Sequence, residues 1–188
     1  MLLSHSFIVI SLFSLLGLVM VFVIIRSVIF RYPLTGKPSI RPFYFYLAKI
    51  LFFLNWMLFL TKALFPGFGY IPVPTFLSWA GTALLFSGSI LFIPGVLTLG
   101  SSLRYGIPEE ETRLKTKGIF RISRNPLYAG LFIICIGSCL YFPDLLNVLF
   151  CVLTIVFHMR IIQAEETFLA DRFGKEWGDY RQKVRKLI

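Results

Sequence analysis

The sequence predicts an all-α, polytopic integral membrane protein, and three observations carry that prediction. Of 188 residues, 57% are hydrophobic and only 15% charged, with a mean hydropathy of +0.79; a soluble domain of this size carries roughly 25% charged residues. The excess of Phe, Leu and Ile falls in runs long enough to cross a bilayer. The formal net charge is +10, and most of the cations flank those runs. A soluble protein with that charge would raise nucleic acid as a partner; here anionic lipid headgroups are the expected counter-charge, and no nucleic acid is expected.

The first crossing is expected over Phe7 to Ile25, "FIVISLFSLLGLVMVFVII". No basic n-region or small-residue cleavage site accompanies it, so it reads as a retained helix rather than a signal peptide. The second runs from Phe43 to Phe65, interrupted by Lys49, Asn55 and Lys62. "PGFGYIPVP", Pro66 to Pro74, is a turn-rich connection, because repeated Gly and Pro cannot continue a helix. The third spans Phe76 to Leu99, with Pro94 an expected kink.

A polar stretch follows from Gly100 to Asn125, then an apolar run of 34 residues from Pro126 to Met159. As one straight helix that run would be roughly 50 Å long, against a hydrocarbon core of about 30 Å. Pro143-Asp144 interrupts it, so a hairpin of two short helices is expected, making about five crossings. Beyond it, Gly174 is expected to end a helix. Trp177, Tyr180, Val184 and Leu187 then recur at helical spacing, the pattern of a C-terminal helix lying on the inner leaflet.

Residues 1–188 read as one membrane domain, with three helices in 1–99 and a loop, hairpin and C-terminal helix in 100–188. Loops one and three and the tail are rich in Lys and Arg, while the second loop and the hairpin turn are not. By the positive-inside tendency the C-terminus is cytoplasmic and the N-terminus outside; which membrane is not specified. Cys135, Cys139 and Cys151 lie in apolar runs and read as buried thiols. With only His5 and His158 besides, no metal site is expected.

Two polar clusters flank the hairpin. The first is "GIFRISRNPLYAG", Gly118 to Gly130; the second runs from His158 through Arg160 to Glu165 and Glu166. Asn125 suits an N-cap and Pro126 the first helical position, which would aim unpaired amides and the positive helix end at an anion. Gly130 leaves room for close approach of a helix or a ligand. The same residues also suit plain anchoring: Arg121 and Arg124 snorkelling to headgroups, Tyr128 in an aromatic belt. The paired acids carry a desolvation penalty unless cations, a ligand or water meet them. Arg160 is one candidate partner.

"GIFRISRNPLYAG", then an apolar hairpin, then "EETFLADRFGKEWGDYRQKV" resembles the isoprenylcysteine carboxyl methyltransferase family, within a wider group that includes the membrane phospholipid N-methyltransferases. The likeness covers about Leu99 to Val184. It departs in Asn125 where carboxyl methyltransferases usually carry His, in the spacing of Arg160 from Glu165, and in Trp177 for the usual Tyr.

The resemblance implies an S-adenosylmethionine-dependent methyltransferase. Gly118, Arg124, Asn125, Pro126, Tyr128, Gly130, Glu165 and Glu166 would enclose the cofactor, and Arg124 and Glu166 would stand closest to catalysis. Acids would hold its ammonium or ribose hydroxyls; Arg and helix-terminal amides would hold its carboxylate. The expected acceptor is lipophilic and arrives from the bilayer, by default an isoprenylcysteine carboxylate, with a phospholipid amine or a thiol as alternatives. No obligate protein partner is implied. An NADPH-dependent sterol-type reductase shares a similar segment but commonly follows it with an acid, where this chain has Leu131-Phe132-Ile133. A non-catalytic scaffold is the remaining alternative. The sequence assigns no role to His158 or Arg160.

Overall fold

In lipid a spanning segment must satisfy its own backbone amides, and each apolar run does so as a helix. The computed structural model describes residues 2–69, 71–108 and 113–188. Its helices are α1 (Leu2–Ile29), α2 (Pro42–Leu64), α3 (Thr75–Leu99), α4 (Pro126–Tyr141) and α5 (Leu145–Lys183), with short 3-10 turns at Gly100–Ser102 and Gly118–Arg121. Among the described residues there is no strand, only isolated bridges such as Lys37 with Ile107.

Among the described residues four helices are long and apolar enough to cross a membrane. α4 has 16 residues, about 24 Å at 1.5 Å per residue, short of a full hydrocarbon core. The expected hairpin of two short helices is therefore asymmetric: its second arm does not stop at Met159 but continues through the polar residues to Lys183. The turn falls at the expected Pro143-Asp144, where Asp144 Oδ1 accepts from Leu146 N–H at 2.9 Å and starts α5.

Large apolar side chains such as Phe7, Phe43, Phe76, Phe86 and Leu145 are exposed around the bundle, far more than a soluble monomer presents. Inside, Phe59, Leu16, Leu85, Ile134 and Tyr141 form the central cluster. α4 packs chiefly on α3, α5 on α2, and α1 covers α3 and α2.

The α3–α4 contact is set by glycines spaced seven apart. A Cβ on Gly88 would stand 2.7 Å from the Gly130 carbonyl oxygen, and one on Gly81 would stand 2.6 Å from that of Gly137. Only hydrogen at these positions lets the two backbones touch, the small-residue packing that holds helices together where lipid competes for apolar side chains. Near the hairpin turn, buried Asn147 ties three helices: it accepts from Asn55 Nδ2 at 2.7 Å and donates to the carbonyls of Phe142, at 2.8 Å, and Ser138, at 3.1 Å.

α5 bends at Gly174, whose φ of 48° and ψ of −115° are outside the helical region. The bend turns the last segment back on the protein. Trp177 and Tyr180, expected on a leaflet-facing stripe, are buried, and Tyr180 Oη donates to the Phe120 carbonyl at 2.7 Å. Helix ends at Lys183; Val184 is extended, and Leu187 packs against the Leu131–Phe132–Cys135 cluster. This stripe faces inward.

Candidate functional site

The segment entering α4 is short of helical structure for a local reason. Asn125 precedes Pro126, and the proline ring excludes helical backbone there; Asn125 has φ −130° and ψ 56°. Pro126 takes the first helical position as expected. The Asn125 side chain does not cap α4, contrary to the sequence expectation. Its amide donates to Glu166 Oε1 at 2.9 Å and to the Lys186 carbonyl at 3.0 Å. A hydrogen bond to a carboxylate is the stronger kind, and turning Nδ2 to Glu166 leaves Oδ1 without a bond to the α4 amides, so tertiary contact displaces the cap. The neighbouring hydroxyl helps instead: fully buried Ser123 accepts from Asn125 N–H at 3.0 Å.

Arg124 joins the two motif halves. Its Nε donates to Glu166 Oε1 at 3.1 Å and Nη2 to Oε2 at 3.4 Å, the fork-to-fork arrangement. Nη1 donates to the carbonyls of Arg181, at 3.0 Å, and Val184, at 2.7 Å. The pair is nearly enclosed, with side-chain exposures of 8% and 13%. Lys186 Nζ adds a second cation 3.8 Å from Glu166. Arg160, the partner considered from sequence, is exposed; Arg124, Asn125 and Lys186 meet the acid instead.

The adjacent acids diverge because neighbouring helical residues point about 100° apart. Glu166 faces the Arg124 joint. Glu165 accepts from Tyr128 Oη at 3.1 Å from both carboxylate oxygens and lines a cleft on its other side. That cleft has a cavity volume of about 160 Å³ and opens to solvent. Its lining carries the cations Arg104, Arg113, Lys115 and Arg124 and the rings of Phe120, Phe168, Trp177 and Tyr180, with the Arg124 guanidinium 5.7 Å from the centre of the Trp177 ring. The Trp177 indole Nε1 is buried without a hydrogen-bond partner, an arrangement that asks for an acceptor.

Of the residues expected from sequence, Arg124, Asn125, Tyr128, Glu165 and Glu166 come together. Pro126 supports them from within α4. Gly130 does not join them: it is buried against Gly88 and Phe92, so the room it leaves is filled by a helix. Gly118 opens the 3-10 turn at φ +63°, beside Thr98. Sequence reasoning did not bring Arg104, Arg113 and Lys115 to the site, noting them only as loop charge, nor Trp177 and Tyr180, noted only as a helical stripe, nor Phe120 and Phe168. The third loop's Glu109–Thr112 lies outside the described residues.

The fold and this site together define a class: a helical membrane protein with a polar cleft built where a C-terminal hairpin's two ends meet. Residues 76–176 match the phospholipid methyltransferase family, and the chain belongs to it. It is 32% identical over 113 residues to a probable protein-S-isoprenylcysteine O-methyltransferase of Oryza sativa subsp. indica, covering 58% of this chain and 59% of that one. It is 30% identical over 108 residues to protein-S-isoprenylcysteine O-methyltransferase B of Arabidopsis thaliana, 55% of each chain. The protein-S-isoprenylcysteine O-methyltransferase of Dictyostelium discoideum is 27% identical over 110 residues, 56% of this chain and 46% of that one. The chain thus spans about half of the length of the curated relatives it matches.

Proposed function

We propose that this protein is an integral membrane methyltransferase that uses S-adenosylmethionine to methylate the carboxylate of an isoprenylcysteine-like lipid. One observation carries the reading: the Arg124–Glu166 joint closes the two motif halves and leaves Glu165 on the lining of a cleft that Arg104, Arg113 and Lys115 also line. Family membership and the named activity of its relatives support methyl transfer over hydride transfer.

The cleft's residues suit that cofactor. It carries an ammonium and a carboxylate at one end, and Glu165 and the Arg104–Arg113–Lys115 side offer the matching charges. Its adenine needs an apolar, aromatic bed with a polar contact, and Trp177 supplies a ring and an unused N–H. When bound, the cofactor supplies a methyl group on a sulfonium, which passes to an acceptor oxygen while the C–S electron pair stays on sulfur. Acceptor carboxylate and sulfonium lose their charges together, so the protein need move no proton. Its own residues bind, align and exclude water. Arg124 and Glu166 act as a brace: their hydrogen bonds to each other, to Asn125 and to the tail hold the cleft's shape.

The basic end, with the cleft, is assigned to the cytoplasmic side by the positive-inside tendency, and the acceptor to the bilayer. The test is transfer of a tritiated methyl group from S-adenosylmethionine to N-acetyl-S-farnesylcysteine by the purified protein. A base-labile labelled product is expected. The family's phospholipid description supports a second reading, an amine acceptor; a base-stable label on phosphatidylethanolamine would select it, and no label on either would overturn both.

A further inference from the structure

Beside Tyr128 and Glu165 lies a half-buried cation, Lys49, that the cofactor reading does not use. Lys49 sits seven residues inside α2, about 10 Å along the helix from Pro42. Its Nζ is 3.3 Å from His158 Nε2 on α5. His158 is fully buried, and its Nδ1 is 2.8 Å from the Thr154 carbonyl oxygen. A carbonyl can only accept, so Nδ1 carries the proton and a neutral ring turns its Nε2 lone pair to Lys49. The ammonium is the donor. It lies 5.1 Å from the centre of the Phe45 ring and 5.8 Å from that of Tyr128, aromatic faces that favour a cation.

One of the three ammonium protons goes to His158. Among the described residues no carboxylate stands within ion-pair distance of Lys49; both oxygens of Glu165 take the Tyr128 hydroxyl. The surroundings are a helix seam with exposed apolar flanks, Ile50 and Phe53 on α2 and Val152 and Val156 on α5. A charged donor with protons to spare, in an apolar wall, on the lipid side of the acid that lines the cleft, is a site for an oxyanion carried on an apolar tail.

We propose that Lys49 anchors the carboxylate of the lipid acceptor, and that the α2–α5 seam forms the acceptor's site. This rests on the methyltransferase reading and adds the residue that selects a carboxylate acceptor over an amine. A second carboxylate beside Glu165 costs like-charge repulsion, and the ammonium offsets it. A protonated amine placed there would instead meet Lys49 as a like charge. Lys49 lies outside the matched residues 76–176, so acceptor choice is housed in the half of the chain that the family pattern does not describe.

The test crosses a change in the protein with a change in the ligand. Binding of N-acetyl-S-farnesylcysteine and of its carboxamide is measured on wild type, Lys49→Met and Lys49→Arg, with S-adenosylmethionine binding measured on each preparation. Wild type should prefer the carboxylate by about tenfold or more, as expected when one charge-assisted hydrogen bond is lost. Lys49→Met should bring the ratio near one while S-adenosylmethionine still binds, and Lys49→Arg should keep part of the preference. Lys49→Gln, which leaves His158 a polar neighbour, replaces the Met variant if that one is not recovered folded. Equal preference in wild type and the neutral variant overturns the proposal. So does a wild type that binds S-adenosylmethionine but neither farnesyl compound, an outcome that leaves the methyltransferase reading standing. Failure to bind S-adenosylmethionine at all defeats that reading itself.

Discussion

Arg124 and Glu166, 42 residues apart in the chain, meet through a fork whose shorter bond is 3.1 Å, and the pair is almost closed to solvent. Neither residue could rest there alone: a buried guanidinium without its acid, or the acid without its cation, is a charge stripped of water. The joint therefore couples the entry of α4 to the middle of α5, and the cleft beside it inherits that rigidity.

That coupling has a measurable form. Arg124→Ala and Glu166→Ala should each destabilise the detergent-solubilised protein by about 3 kcal/mol, the cost of leaving a partner uncompensated. The double variant should cost well short of the sum. Thermal unfolding of the four proteins gives the cycle, and additivity within about 0.5 kcal/mol would show the two residues to be independent.

On the proposed reading Glu165 binds the cofactor, whereas Glu166 braces the fold. Glu165→Gln keeps an oxygen to accept from Tyr128, so folding should persist. Loss of one charge-assisted contact, worth about 1.5–3 kcal/mol, should weaken S-adenosylmethionine binding by roughly ten- to a hundred-fold. Calorimetric titration reads it; unchanged affinity would remove Glu165 from the cofactor site.

Trp177→Phe deletes the unpartnered indole N–H and keeps most of the ring. If that donor serves the cofactor, affinity should fall by about five- to tenfold, the net worth of one neutral hydrogen bond. A methionine at position 177 separates the ring's contribution. Equal affinity for the Phe variant and wild type would assign Trp177 to packing alone.

The glycine seam predicts a contrast between positions. Gly88→Ala places a methyl group 2.6 Å from Ile134 and 2.7 Å from the Gly130 carbonyl, and α3 must move off α4. Overpacking of this kind costs about 1–3 kcal/mol or more. Gly178→Ala, with open space around its Cβ, should be neutral or slightly stabilising by helix propensity. Comparing melting temperatures in one detergent checks both.

The carboxylate reading also fixes a pH dependence. The acceptor's carboxyl is ionised far below neutral pH, so transfer at saturating acceptor should be flat from about pH 6.5 to 8.5. An amine acceptor must shed a proton first, and its rate would climb about tenfold per pH unit until its pKa. A rising profile in the tritium assay would therefore count against carboxyl methylation.

The apolar runs, the glycine-proline turns and the lysine-arginine loops are local properties of the chain, so helix number and the hairpin were readable without coordinates. The two polar clusters flanking the hairpin were readable too, Asn125-Pro126 as a helix start and the paired acids as groups in need of partners. The residues alone also suited plain anchoring, and only the family resemblance joined them as one site. Tertiary structure alone decided which partners. It took the Asn125 amide away from capping α4 and gave it to Glu166, replaced Arg160 with Arg124, and filled the space beside Gly130 with α3. It also turned Trp177 and Tyr180 inward and brought Lys49 against His158. The physical reason is the same in each case. Periodicity states which face of a helix is apolar or polar, but a hydrogen bond goes to whichever acceptor the packing of other helices brings within about 3 Å, and that distance is set by contacts scattered over the whole chain.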